Sequence, residues 1–408
     1  MHVALAAVAV CIIAGADLGG RGTRAGGCRP DLDCRTATHL RVGRDCTTIQ
    51  AAINCIPSLA ERTPANGRVA ILLNPGVYTE QLVVNKSKIS LVGLAPFVPY
   101  SYSPHGYCTS AVQLASHLQN EAVLNITAND FILANVTSYD DANKYQIGKN
   151  FALYVYSGDR TAVYFSSLFG AQDTVYTGAG RAYFYGSTIN GTTDFNYGQG
   201  AAVYDNCTIV GEPGEIYKGE SFLTAASGAN QSSHNSTGPT PNTPEARPSA
   251  YLIKNSRLPA VPNAKPTYLG RPWGKGASVF YDNVWMDKHI AASGWYPWWT
   301  GCNRTVTTCA DVFFAEFNST GPGAAVDGEG RVQWSRQLTA KEAEQWTTER
   351  VLQGWRPAAP TSVWADVLVP APAGGPSIQR GPALPTATAE RPRLQGGNGR
   401  LDGPLFVS

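Results

Sequence analysis

From about Val69 to Asp287 the chain alternates short apolar, β-branched and aromatic runs with Gly, Asn, Asp and Ser: VAILL, ISLVGL, AVLNIT, FILANVTSYD, ALYVY, TAVYFSSLF, RAYFYGSTI, GAAVYDNCTIV, AYLIKNS and ASVFYDNVWM. Runs of this length bounded by turn formers predict strands, not helices. Helical patterns are confined to TIQAAINCI near Thr48 and LTAKEAEQWTTERVL near Leu338, so the expected architecture is all-β with short capping helices. The strands also recur, with starts at Ala162, Ala182 and Ala202 falling at a spacing of twenty. A period near twenty suits a solenoid, in which residues one period apart sit on neighbouring strands about 4.8 Å away. Hairpins of similar spacing in an antiparallel sandwich would give the same pattern, and periodicity alone does not separate the two.

Outside this body the pattern breaks. Residues 1–16 are an apolar run closing on Ala14-Gly15-Ala16, which predicts a secretory leader too short to span a bilayer; a buried strand or a membrane anchor is the alternative. Residues 17–40 read as an N-terminal linker and 41–356 as one β domain with a polar loop over 227–249. Residues 357–408, rich in Pro, Gly and Ala, read as a flexible tail. A hydrophobic content of 43% with 15% charged residues implies a sizeable core and excludes disorder throughout, and a net charge of +2 gives no argument for nucleic acid.

Of nine cysteines, Cys11 falls in the leader, and the remaining eight suit disulfides, with Cys302 and Cys309 the expected local bridge. No cysteine or histidine spacing suggests zinc. Asn-x-Ser/Thr sites at Asn85, Asn125, Asn135, Asn190, Asn206, Asn230, Asn235, Asn303 and Asn318 fit a glycosylated exoprotein.

Two segments carry the candidate chemistry. GAQDTVY, from Gly170, and GTTDFNYG, from Gly191, each follow a strand-like run and each hold an aspartate, Asp173 and Asp194, twenty-one positions apart. In a solenoid that is one coil, so the two carboxyls would lie together, one keeping its proton while the other stays charged. An aspartate after Gly or Thr is also an ordinary turn residue. Gln172 adds an amide donor for an oxyanion. In YLGRPW, from Tyr268, Arg271 offers a bidentate partner for a carboxylate and Trp273 a flat face for a sugar ring; a surface ion pair and a packing tryptophan are the plainer readings.

The chain resembles the pectin methylesterases over roughly Thr48 to Trp355, through TIQAAI, GVYTE, SGDR, GAQDTVY, GTTDFNYG, LGRPW, GWYPW, FNSTGPGA and RVQWSRQLT in that order. The resemblance implies a right-handed parallel β-helix of the pectin lyase-like type, acting as a secreted, monomeric esterase at the cell wall. Its partner would be methylated homogalacturonan, with no nucleic acid, membrane, metal or organic cofactor. It assigns Asp194 as nucleophile, Arg271 as its orienting partner, Asp173 as general acid and then base, and Gln172 as oxyanion donor. Trp273, Tyr176 and Tyr197 would line the substrate groove.

The sequence departs from the family where a second oxyanion glutamine is expected, in a Gln-Ala-Val-Ala-Leu string. Here KNFAL stands, and a one-residue gap leaves either Lys149 or Asn150 at that position, Asn150 offering an amide to the substrate and Lys149 a charge. Asn196 and Tyr197 also replace the usual Ile and Phe. An active esterase is the leading expectation, a pectin-binding homologue with impaired catalysis the alternative. A glycoside hydrolase or lyase is disfavoured, since no Gly-His-Gly string or calcium cluster is evident.

Overall fold

A computed structural model describes residues 27–63, 67–94, 112–116, 121–140, 149–214, 218–228, 242–297, 312–325 and 328–359, all within one compact unit. The expected leader, most of the tail, Cys302 with Cys309, and residues 229–241 of the polar loop lie outside the described residues.

The strands wind into a parallel β-helix. Among the described residues an eleven-stranded, an eight-stranded and a six-stranded sheet run along the coil, with a further two-stranded pair, and every strand-to-strand pairing is parallel. The eleven-stranded sheet explains the uninterrupted apolar runs, because both of its faces are covered. In Val69–Leu73 the residues Val69, Ile71 and Leu73 enter the interior of the coil, while Ala70 and Leu72 join a second cluster on the outer face. One interior column passes in register through Ile71, Leu91, Leu133, Val163, Phe184, Tyr204, Ile253 and Tyr281, all fully buried. The column continues to Glu316, whose buried carboxylate accepts two hydrogen bonds from Arg331, at 2.7 and 3.0 Å.

Several long runs are two strands, not one. FILANVTSYD divides into Ile132–Ala134 and Thr137–Asp140, and TAVYFSSLF into Thr161–Tyr164 and Ser167–Phe169. At the same corner of successive coils Asn135, Phe165, Gly186, Asn206, Asn255, Asn283 and Asn318 adopt positive φ, the left-handed conformation that turns the chain sharply. Asparagine tolerates it best of the residues with a Cβ, and its amide adds a ladder: Asn283 donates to Asn255 and Asn318 to Asn283, at 2.9 and 3.3 Å.

Coil length varies, so the twenty-residue spacing holds only locally. Ala182 pairs with Ala202, but Ala162 pairs with Tyr183, and Ala202 pairs with Tyr251 across the long loop. The helix Ile49–Cys55 begins on Thr48, whose hydroxyl accepts from the Ala51 N–H, and it feeds Ile49 and Ile53 into the interior. The second helical pattern forms two short helices, Ala340–Ala343 and Thr348–Val351, each with a threonine cap. They lie along the outer face of the large sheet, where Trp346 stacks on Phe313.

The described part of the expected linker is not a free segment. His39–Arg41 pairs with Val69–Leu73, Leu40 is fully buried, and disulfides Cys28–Cys46 and Cys34–Cys55 fasten the segment to the first helix and its approach. Cys207, by contrast, is a buried free thiol, which corrects the expectation that all eight cysteines pair. Two of the glycosylation motifs are corrected as well. Asn135 and Asn190 are buried, their amides donating to the Gly93 carbonyl and to Glu212, so neither can carry a glycan on the folded chain.

Candidate active site

The turn from the eight-stranded to the six-stranded sheet is where the two aspartates lie. Lys149, Gln172 and Thr193 bridge one another on three successive coils, which sets Asp173 and Asp194 one place further along on adjacent coils. The Asp173 N–H donates to the Thr193 carbonyl at 3.0 Å, fixing that register. Both aspartates hold positive φ, 64° and 51°, strain that a non-glycine residue keeps only where its surroundings enforce it. Beside them Thr174 and Phe195 are fully buried, and the strands Val175–Thr177 and Asn196–Gly198 follow at once.

Arg271 reaches Asp194 from the LGRPW segment. Its Nε and Nη2 donate to Asp194 Oδ1 and Oδ2, both at 2.7 Å, with the two side chains 5% and 8% exposed. The segment is held close to the coil: the Arg271 and Trp273 N–H groups donate to the Thr224 and Ala226 carbonyls, and a Cβ at Gly270 would collide with Thr224. The guanidinium also lies over the Phe222 ring, 4.2 Å from its centroid, and Phe222 stacks on Tyr268. Phe222 is not legible as part of this site from the sequence, because an aromatic in a plain strand-like SFLTAAS gives no sign that it backs Arg271.

The two carboxyls differ in charge state. Burial pushes Asp173 up, the charge on Asp194 adds to this, and Lys149 and Gln172 pull back, leaving it at about 7. Burial also raises Asp194, but there the hydrogen bonds and charge of Arg271 oppose it. Both groups are raised overall, but both Asp194 oxygens accept from the Arg271 guanidinium, the geometry of an ionised carboxylate, whereas Asp173 has no such clamp. This arrangement provides a fixed anion next to a neutral acid that titrates near neutrality.

The structure resolves the ambiguity between Lys149 and Asn150. Lys149 is the residue in register with Gln172, and its Nζ lies 3.5 Å from Asp173 Oδ2. Asn150 is fully buried, its backbone N–H donating to the Gln172 carbonyl, which corrects the expectation that its side chain meets substrate. Gln172 is half-buried.

An aromatic strip leads away from the acids along the six-stranded sheet. Tyr154, Tyr176 and Tyr197 occupy one column on successive coils, with ring centroids 4.5 and 4.8 Å apart, and Trp273 meets Tyr197 edge-on at 5.8 Å. Tyr176 and Trp273 are half-buried and present ring surface, whereas Tyr197 is 7% exposed and serves mainly as the floor beneath them. Tyr154 and Phe151, which the sequence did not single out, belong to the same cluster.

A pectinesterase family model matches residues 41–355. A probable pectinesterase/pectinesterase inhibitor of Arabidopsis thaliana is 30% identical over 79% of this chain and 52% of its own length. Pectinesterase 31 of the same plant is 28% identical over 76% of this chain and 90% of its own. The chain thus spans about half the length of the first relative. Among solved structures, pectin methylesterase from carrot superposes with a TM-score of 0.60 at 21% identity, covering 82% of this chain and 97% of that one. A pectin methylesterase in complex with a hexasaccharide gives 0.57 at 26% identity, covering 80% of this chain and 99% of its own.

Proposed function

The chain belongs to the pectinesterase family, and from that premise we propose that it hydrolyses the C6 methyl esters of polygalacturonan to pectate and methanol. One observation carries this reading: a carboxylate clamped by an arginine stands one coil from a carboxyl that keeps its proton to about pH 7. Asp194 Oδ attacks the ester carbonyl carbon, and the carbonyl oxygen takes up the negative charge, facing the Gln172 amide. As the tetrahedral centre collapses, Asp173 gives its proton to the departing methoxide and methanol leaves. The acyl group is now on Asp194, and Asp173, as a carboxylate, removes a proton from water. The resulting hydroxide attacks the acyl carbon, Asp194 departs as a carboxylate, and Asp173 is protonated again.

Arg271 holds Asp194 in one orientation, and a nucleophile fixed in place avoids the entropy cost of finding its geometry. Tyr176 and Trp273, over the Tyr197 floor, would bind the sugar rings. A pectin methylesterase structure in complex with a hexasaccharide supports an oligosaccharide in this groove. The two disulfides suit an oxidising compartment, which supports export by residues 1–16.

The test is methanol release from highly methylated pectin, with chain length followed in parallel. Methanol without shortening supports the esterase. Shortening of the chain would point to glycosidic cleavage, and binding with no methanol at any pH would leave a pectin-binding homologue.

A further inference from the structure

The residue beside Asp173 gives this site a charge of its own. Where the resemblance leads one to expect a neutral glutamine, Lys149 occupies the register position next to Gln172 and carries its ammonium to 3.5 Å from Asp173 Oδ2. The lysine side chain is 51% exposed and the aspartate 6%, so a solvated cation lies against a buried acid at the rim of the site. Lys149 Nζ also lies over the Phe151 ring, 6.0 Å from its centroid.

We propose that Lys149 is a positioning residue that sets the proton affinity of the Asp173 carboxyl, and with it the pH range over which this esterase works; the kinetic half of this rests on the ester-hydrolysis reading above. The groups facing Asp173 are few. On the next coil Asp194 is negative and paired to Arg271, so its charge disfavours a second anion. Gln172 contributes a neutral donor, and Tyr154 and Tyr197, whose phenols are raised first by burial and also by the charge of Asp173, stay neutral. Among the described residues Lys149 is thus the cation acting directly on Asp173, while Arg271 acts on its neighbour.

The consequence follows the reaction. When Asp173 hands its proton to methoxide it becomes an anion, and at that moment the Asp194 charge has been consumed in the acyl bond. Lys149 then faces a new carboxylate and stabilises it. The lysine makes Asp173 a stronger acid in the first half-reaction and a weaker base in the second, shifting the working range toward lower pH than a neutral amide would allow.

Two measurements on the full chain test this. The Asp173 carboxyl is titrated by 13C NMR of aspartate-labelled protein, its signal identified by loss in Asp173→Asn, and kcat/KM for methanol release is measured across pH. Lys149→Gln should raise the Asp173 titration midpoint, and the alkaline limb of kcat/KM with it, by about half a unit to one unit, the effect of a nearby charge reduced by its exposure. Lys149→Arg, which keeps the charge, should restore the wild-type midpoint. An Asp173 midpoint unchanged in Lys149→Gln overturns the inference, whatever the activity. A shifted midpoint in a protein that releases no methanol would uphold the Lys149–Asp173 coupling and overturn the esterase reading.

Discussion

Asp194 and Arg271 meet through two parallel hydrogen bonds of 2.7 Å, between side chains 77 residues apart in sequence and nearly sealed from solvent. Removing one member of such a pair leaves the other charge buried and unpaired, a cost of about 3–5 kcal/mol. Arg271→Ala should therefore lower the urea midpoint as well as activity. Replacing both residues by apolar side chains should recover most of the stability and none of the activity. Urea unfolding of the three variants checks this, and equal stability of Arg271→Ala and the parent would contradict it.

Asp173 makes stability depend on pH in the opposite sense to an ordinary salt-bridged aspartate. Its folded-state value, about 7, lies above that of the unfolded chain, near 4. Between the two the folded chain keeps a proton that the unfolded chain has lost, so this contribution is fully present below about pH 4 and disappears as pH rises through about 7. Asp173→Asn should flatten the loss of stability over that window. Denaturation midpoints for both proteins at pH 5 and pH 8 give the comparison, with the variant gaining relative to the parent at pH 8.

The strands were legible in the sequence because the large sheet is covered on both faces, which makes runs such as Val69–Leu73 apolar throughout. The bends inside those runs were not. A left-handed Asn135 or Phe165 leaves no trace in hydrophobicity, so two strands read as one. The paired aspartates were readable because their coil contains no insertion, whereas the coil from Ala202 to Tyr251 carries a long loop that hides its period. Lys149 and Asn150 could not be separated by sequence, since a shift of one residue exchanges the rim of the site for the interior.

Gln172 and Trp273 should fail in different ways. In the proposed mechanism Gln172 is an oxyanion donor and acts on the transition state, so Gln172→Ala should cut kcat by about 10²–10³ with little change in KM. Trp273→Ala removes ring surface that the proposed groove offers to substrate before reaction, and should raise KM about tenfold with a smaller effect on kcat. Steady-state kinetics on one methylated pectin separates the two. A pure kcat defect in Trp273→Ala would remove it from the groove.

The disulfides Cys28–Cys46 and Cys34–Cys55 close loops of 18 and 21 residues around the first turn of the coil. Cross-links of that span contribute about 3 kcal/mol each. Thermal unfolding of a Cys34→Ser/Cys55→Ser variant should show a lower midpoint, while Cys207→Ser, at a thiol with no disulfide partner, should not change sensitivity to reductant.

The most direct test of the central claim is the rate of methanol release by Asp194→Asn, with near-ultraviolet circular dichroism showing that the variant is folded. The amide cannot serve as the nucleophile, and the account predicts a loss of at least about a thousandfold at every pH where the parent is active. A folded variant that retains activity within tenfold of the parent would contradict it.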